Sequence, residues 1–319
     1  MASCLLYKWQ SGWGLPSVSP ACIQVEAYLR FAATDFAVES CNYTHTSPTG
    51  HQPAVDTSGE VVAEDEAYQS ARAIIQHLKQ HTKDIDAELS DSDRADLIAF
   101  RTLVQNALEP ATQYTLWCEA ESFSKHTQVK YGHGMPFPLN YILPRIHQFH
   151  VWQILKLTTA DQMYTSLADA YAAIAERLSA SDGDYFFGGK PSSLDALLYG
   201  HLAFHQAAPV TSPEIRHQIS QHPVLQKYVD RISKDVFQRP VPFASASMSQ
   251  EWQRRADAAA GGSRNAADNK QHTKAEEELT SKGKIWIGFA AAAVIAFGLF
   301  SGQYISIGIE EDLEEDEDL

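Results

Sequence analysis

The hydrophobic pattern is densest near the C-terminus. Residues 285–309, IWIGFAAAAVIAFGLFSGQYISIGI, run for 25 positions without a charge. At about 1.5 Å per residue a helix of that length reaches about 37 Å, against about 30 Å of bilayer hydrocarbon. Ile285, Trp286, Phe289, Ile295, Phe297 and Phe300 lie in its most apolar part, residues 285–300. Lys282 and Lys284 precede it, and Trp286 and Tyr304 stand near its two ends as an interfacial belt would. The segment is isolated between a polar stretch and an acidic end, which argues against a buried core helix. It predicts a single C-terminal transmembrane helix over 285–305, inserted after synthesis. The basic flank predicts the large N-terminal part in the cytosol and the tail, 306–319, across the membrane.

Residues 1–82 alternate in period. Strands are predicted at 5–9, 37–43, 54–56 and 60–63, the last two joined by a turn at Ser58-Gly59. A helix at 23–33 has two apolar stripes, Ile23, Ala27, Phe31 and Val25, Leu29, Ala32, so it is expected to be covered on two sides. Ala67, Ala71, Ile74, Ile75 and Leu78 mark one face of another helix. The order is β-α-β-β-β-α, or β-α-β-α-β-β-α if the middle loop holds a helix.

Residues 88–238 read as helical. Ser90 and Asp93 open a helix expected to stop at Glu109, before Pro110. Thr159 and Gln162 open another, with Met163, Leu167, Ala170, Tyr171, Ile174 and Leu178 at helical spacing. In PSSLDALLYGHLAF, Ser192 caps and Asp195 reaches back. A last helix covers 224–237. Residues 240–284, rich in Ala, Ser, Gly and charge, read as a flexible linker.

The net charge of −15 is uneven, since the last ten residues, EEDLEEDEDL, hold eight acids. An acidic chain without a dense Lys/Arg stripe argues against nucleic acid. Four cysteines without a close pair signal neither a disulfide framework nor a structural zinc site, and suit a reducing compartment. The N-terminus has neither a basic region nor a long apolar run, so no signal peptide is expected.

A thioredoxin-like front half followed by an all-helical back half is the architecture of glutathione transferases, and KPSSLDALLYGHL resembles their buried capping box and hydrophobic helix. The stretches MPFPLNYILP (135–144), YTLWCEAESF (114–123), ERLSASDGDYFFGGKPSSLDALLYGHLAF (176–204) and HPVLQKYVDRI (222–232) more specifically resemble the metaxins, above all the type-1 metaxins. The resemblance implies a non-enzymatic, cytosol-facing subunit of the sorting and assembly machinery in the mitochondrial outer membrane. That subunit would pair with a second metaxin-like subunit and a barrel-shaped core subunit, and would support insertion of β-barrel precursors. It implies no cofactor. The alternative is a membrane-anchored, glutathione-dependent transferase.

The two readings diverge at SPAC, residues 19–22. A cysteine at a helix N-terminus gains acidity from the exposed amides, which would make Cys22 nucleophilic. Ser19 and Tyr7 match the serine and tyrosine roles of other transferases. Alternatively Ser19 caps, Pro20 fills the first turn and Cys22 packs. Glutathione binding requires a Ser-bearing turn for the γ-glutamyl carboxylate, where this chain has Ala63-Glu64-Asp65-Glu66. Like charges about 4 Å apart cost on the order of 4 kcal/mol at an effective dielectric near 20, roughly the whole of a millimolar affinity. The corner therefore favours the non-enzymatic reading, with no catalytic residue.

Pro53 is a candidate cis-proline of structural role. His147 with His150 and His201 with His205 have helical spacing, but no further ligand is evident, so no metal site is expected. Met135, Pro136, Phe137, Pro138, Leu139 and Asn140 form a proline-braced segment expected to be extended. It would either plug its own helical domain or dock a partner. The acidic tail would be a solvated plug or a weak patch for basic partners.

Overall fold

The computed structural model describes residues 4–41, 47–57, 59–63, 71–155 and 158–244. The predicted anchor with Ile285, Trp286, Phe289, Ile295, Phe297 and Phe300, the tail, nearly all of the linker, and Glu64, Asp65 and Glu66 lie outside these residues. No helix among the described residues is long and apolar enough to cross a membrane.

Four strands, β1 (Cys4–Trp9), β2 (Phe36–Cys41), β3 (Ala54–Thr57) and β4 (Glu60–Ala63), form one sheet in the order β2-β1-β3-β4. β1 and β2 are parallel, with Leu6 opposite Val38. A parallel pair needs a crossover, and helix α1 (Pro20–Phe31) supplies it. β3 runs antiparallel to both β1 and β4, with Val55 opposite Leu6 and Val62. The described part of the middle loop, residues 47–53, forms turns and bends, so the order among the described residues is β-α-β-β-β-α. Gln52–Pro53 is cis. The chain returns to this sheet at its far end: Val38 N–H donates to Pro242 O (3.0 Å) and Ala244 N–H to Val38 O (2.9 Å), covering the β2 edge.

After α2 (Arg72–His81), α3 (Asp91–Leu103) does not stop before Pro110. It passes through a π turn at Val104–Leu108 into α4 (Glu109–Gln113), which contains the proline, and a second π turn at Tyr114–Cys118. The physical reason is local. The ring of proline crowds the carbonyl four residues back, and the wider turn, in which Glu109 N–H reaches Val104 O, makes room for it. Short helices α5 (Ala120–Ser122) and α6 (Gln128–Tyr131) flank a third π turn.

α7 (Leu139–Leu155) begins inside the segment expected to be extended. Asn140 N–H bonds to Pro136 O and Ile142 N–H to Pro138 O, because prolines ahead of a helix forfeit only donors that would be unpaired there. Phe137–Pro138 is cis. α8 (Ala160–Ser179) has the Thr159–Gln162 capping box and buries Met163, Leu167, Ala170, Tyr171, Ile174 and Leu178. α9 (Ser193–Ala207), α10 (Pro213–Ser220) and α11 (Pro223–Asp235) complete the helices.

α1 packs on the sheet and on α9, and Ile23, Val25, Ala27 and Leu29 are all inaccessible to solvent. The predicted two-sided burial is thus its actual environment. Arg30 fastens the end of the helical region to α1. Its guanidinium donates to Val236 O (3.0 Å) and Arg239 O (2.8 Å), lies over the Phe237 ring, and pairs with Glu26.

Candidate functional site

The SPAC corner is built as a helix start. Ser19 is extended, its Oγ accepts the Cys22 N–H (3.4 Å), and Pro20 occupies the first turn. Cys22 is fully buried, and burial pushes its thiol up to about 11, against hydrogen bonds and the Lys8 charge that pull the other way. Desolvation therefore outweighs the helix terminus, and the nucleophilic role considered for Cys22 is not supported. Ser19 is also buried. Tyr7 packs with Leu5, Ala37, Cys41 and Ala54, a different cluster from that of Cys22. Burial raises its phenol further above the ordinary range. The fold buries all three candidate nucleophiles and does not gather them around one open space.

The charged groups beside this corner are satisfied internally. The Lys8 ammonium pairs with Glu26 and donates to Pro16 O (2.9 Å), while Arg30 Nε and Nη2 donate to Glu26 Oε1 (3.0 and 2.7 Å). A cleft lined by Lys8, Glu26, Arg30, Tyr199 and Phe237 exists, and within it Lys8 and Arg30 both pair with Glu26.

Ser192 and Asp195 form a buried capping box. Asp195 N–H donates to Ser192 Oγ (3.4 Å), and Asp195 Oδ2 accepts the Ser192 N–H (2.8 Å). Its Oδ1 also accepts Phe186 N–H (2.8 Å) and Tyr228 O–H (2.7 Å), so one carboxylate ties α9 to the preceding loop and to α11. Burial raises the Asp195 pKa, and these hydrogen bonds oppose the shift.

His201 and His205 are fully buried. His205 lies 2.7 Å from the Tyr171 hydroxyl and 2.8 Å from the Thr112 hydroxyl, and His201 Nδ1 lies 3.1 Å from that same Thr112 oxygen. His147 packs on Trp117, whereas His150 is exposed. Among the described residues, the histidines that gather with a carboxylate are His77 and His81 with Glu60, which were not singled out by the sequence pattern. Their signal is the H-x-x-x-H spacing on α2, and the third group comes from a strand remote in that pattern.

The other conspicuous surface is α7 with the turn before it. Phe137 is 81% exposed and Leu139 44%. Tyr141, Ile146, Phe149, Trp152 and Ile154 are each more than half exposed, whereas Pro144 and Val151 face the core. Met135, Pro138 and Asn140 are half-buried and Pro136 is exposed. Between Glu121 and Asp161 the sequence has no acid at all, yet it has Lys125, Lys130, Arg145 and Lys156. The exposed apolar side chains of α7 thus stand in a stretch of an acidic chain that carries no acid, and hydrophobicity alone would read them as core.

Residues 22–148 match a family described as outer mitochondrial membrane transport complex protein, and residues 167–232 match the C-terminal domain of glutathione S-transferase. Metaxin-1 of Bos taurus is 31% identical over 223 residues, covering 66% of this chain and 68% of the relative. Metaxin-3 of Xenopus laevis is 31% identical over 240 residues, covering 72% and 75%. Metaxin-2 of Homo sapiens is 28% identical over 230 residues, covering 70% and 84%. Among solved structures, the glutathione transferase GSTFuA2 of Phanerochaete chrysosporium superposes with a TM-score of 0.50 at 13% identity, covering 73% of this chain and 98% of its own. That likeness establishes a glutathione-transferase-like fold and nothing about activity.

Proposed function

Because the chain belongs to the metaxin family, we propose that it is a non-enzymatic docking subunit of the mitochondrial outer-membrane sorting and assembly machinery. The glutathione-transferase-like body stands on the cytosolic face. The apolar segment 285–305 anchors it, and the acidic tail enters the intermembrane space. Its partners are a second metaxin-like subunit and the β-barrel core subunit, and the complex handles β-barrel precursors.

The observation that carries this reading is the exposed apolar face formed by Phe137, Leu139, Tyr141, Ile146, Phe149 and Trp152. A helix with apolar side chains around most of its circumference, packed on one side only, is completed by a partner. Met135, Pro136, Phe137, Pro138, Leu139 and Asn140 form the N-terminal end of that surface. The burial of Ser19, Cys22 and Tyr7 supports the absence of transferase chemistry.

The test is recovery of the full chain from detergent-solubilised mitochondria. Co-purification of an outer-membrane barrel and a second glutathione-transferase-like subunit supports the reading. Retention on immobilised glutathione with conjugation of a model electrophile would replace it by the transferase reading.

A further inference from the structure

β4 and α2 bring three metal-binding side chains to one point at the edge of the sheet. Glu60 is in β4, and His77 and His81 are one turn apart on α2. One donor atom from each lies within 4.8 Å of the others. Glu60 Oε1 is 3.9 Å from His77 Nδ1, and Oε2 is 3.4 Å from His81 Nε2. The two imidazoles are stacked with centroids 4.0 Å apart.

The far nitrogens of both rings are already engaged. His81 Nδ1 lies 3.0 Å from His77 O. A carbonyl only accepts, so this nitrogen carries the proton, and in the neutral ring the Nε2 lone pair faces Glu60. His77 Nε2 is 2.5 Å from Thr57 Oγ1 on β3. In the tautomer that donates Nε2–H to Thr57, the Nδ1 lone pair also faces Glu60. Metal-bound histidines are held in this way, each with its remote N–H on a carbonyl or hydroxyl that fixes tautomer and ring orientation. His77 is buried, which favours its neutral, ligating form, while His81 and Glu60 are open to solvent.

We propose that Glu60, His77 and His81 form a zinc site that clips β4 to α2. Two imidazoles and one carboxylate match the borderline-soft preference of Zn²⁺, and they leave a fourth, solvent-facing position for water. To place a metal about 2.0–2.2 Å from each donor, the ligands must close from their present separations and the stacked rings must turn so that their lone pairs converge. Glu60 lies in β4 and His77 and His81 in α2, so the ion would tie the strand to the helix directly. The inference is independent of the docking role.

The experiment uses the full chain, with Zn²⁺ and with Co²⁺ as its visible probe. We expect one tightly bound equivalent of Zn²⁺ by metal analysis after desalting, and a d–d absorption of tetrahedral intensity on adding Co²⁺. Glu60→Gln and His81→Ala alter exposed groups and should weaken Zn²⁺ binding at least tenfold while leaving the circular dichroism unchanged. His150→Ala, an exposed histidine elsewhere, should change neither binding nor absorption. Binding retained at full strength in both Glu60→Gln and His81→Ala, or no Zn²⁺ uptake by the unmodified chain, would overturn the proposal.

Discussion

Gly200 of α9 stands directly against the backbone carbonyl of Pro20: a Cβ at Gly200 would lie 2.7 Å from Pro20 O. The contact joins the helical region to the first turn of α1 with no side chain between them. Gly200→Ala gains about 1 kcal/mol of helix propensity, but forced overpacking costs about 1–3 kcal/mol. The second effect is larger because the opposing atom is backbone and cannot rotate away. Urea unfolding should register a net loss of stability.

The Asp195 carboxylate accepts from four buried donors, the Phe186 N–H, the Ser192 N–H and O–H, and the Tyr228 O–H. Asp195→Ala leaves them unpaired at about 1–3 kcal/mol each, so the loss should be at least about 3 kcal/mol. Asp195→Asn keeps one acceptor and should lose less. The comparison is made by denaturant midpoint at constant slope.

Histidines set the acid limb of stability. Burial holds His205 well below its ordinary 6.5, and His77 is lowered by burial as well. His205 is then neutral in the fold just below pH 6.5, where the unfolded chain's imidazole takes up a proton. The unfolded state binds more protons there, so stability should fall as pH drops below 6.5, by up to about 1.4 kcal/mol per unit from this group. Asp195 has the opposite sign, because its raised pKa costs stability as pH rises above its unfolded value. The check is therefore a difference: His205→Gln should flatten the slope between pH 6.5 and 5 relative to wild type.

Cys22 is a buried thiol held at about 11, and Cys4 is pushed up to about 12. Alkylation of the native chain near pH 7.5 should proceed at these positions only at the rate of unfolding, and become fast in denaturant. Mass mapping of the labelled cysteines reads this directly. Fast native labelling of Cys22 would reopen the SPAC corner as a reactive site.

Much of this arrangement was legible in the sequence, and the exceptions share a cause. The face of α8 and the Ser192–Asp195 box follow from spacing and local hydrogen bonding, both written within a few residues. Continuation of the helix through Pro110 was not legible, because a π turn leaves no mark that separates it from a helix end. The pairing of Pro242 and Ala244 with Val38 joins residues about two hundred positions apart in a stretch that reads as linker. The meeting of Glu60 with His77 and His81 depends on how β4 packs on α2. The α7 face was misleading in another sense: Phe149 and Trp152 look like core residues until their exposure is known. The segment at 135–140 was marked by its prolines, but its continuation along α7 was not.

The docking account depends most directly on that face. The decisive measurement pairs complex recovery with thermal melting for Phe137→Ala/Leu139→Ala and for Phe149→Ala/Trp152→Ala in the full chain. All four residues are exposed, from 44% at Leu139 to 81% at Phe137, so their truncation should change the melting temperature little. The account predicts that both double variants melt as wild type does yet lose most of the co-purifying barrel and second subunit. Undiminished recovery, or recovery that falls only in step with melting, would contradict it.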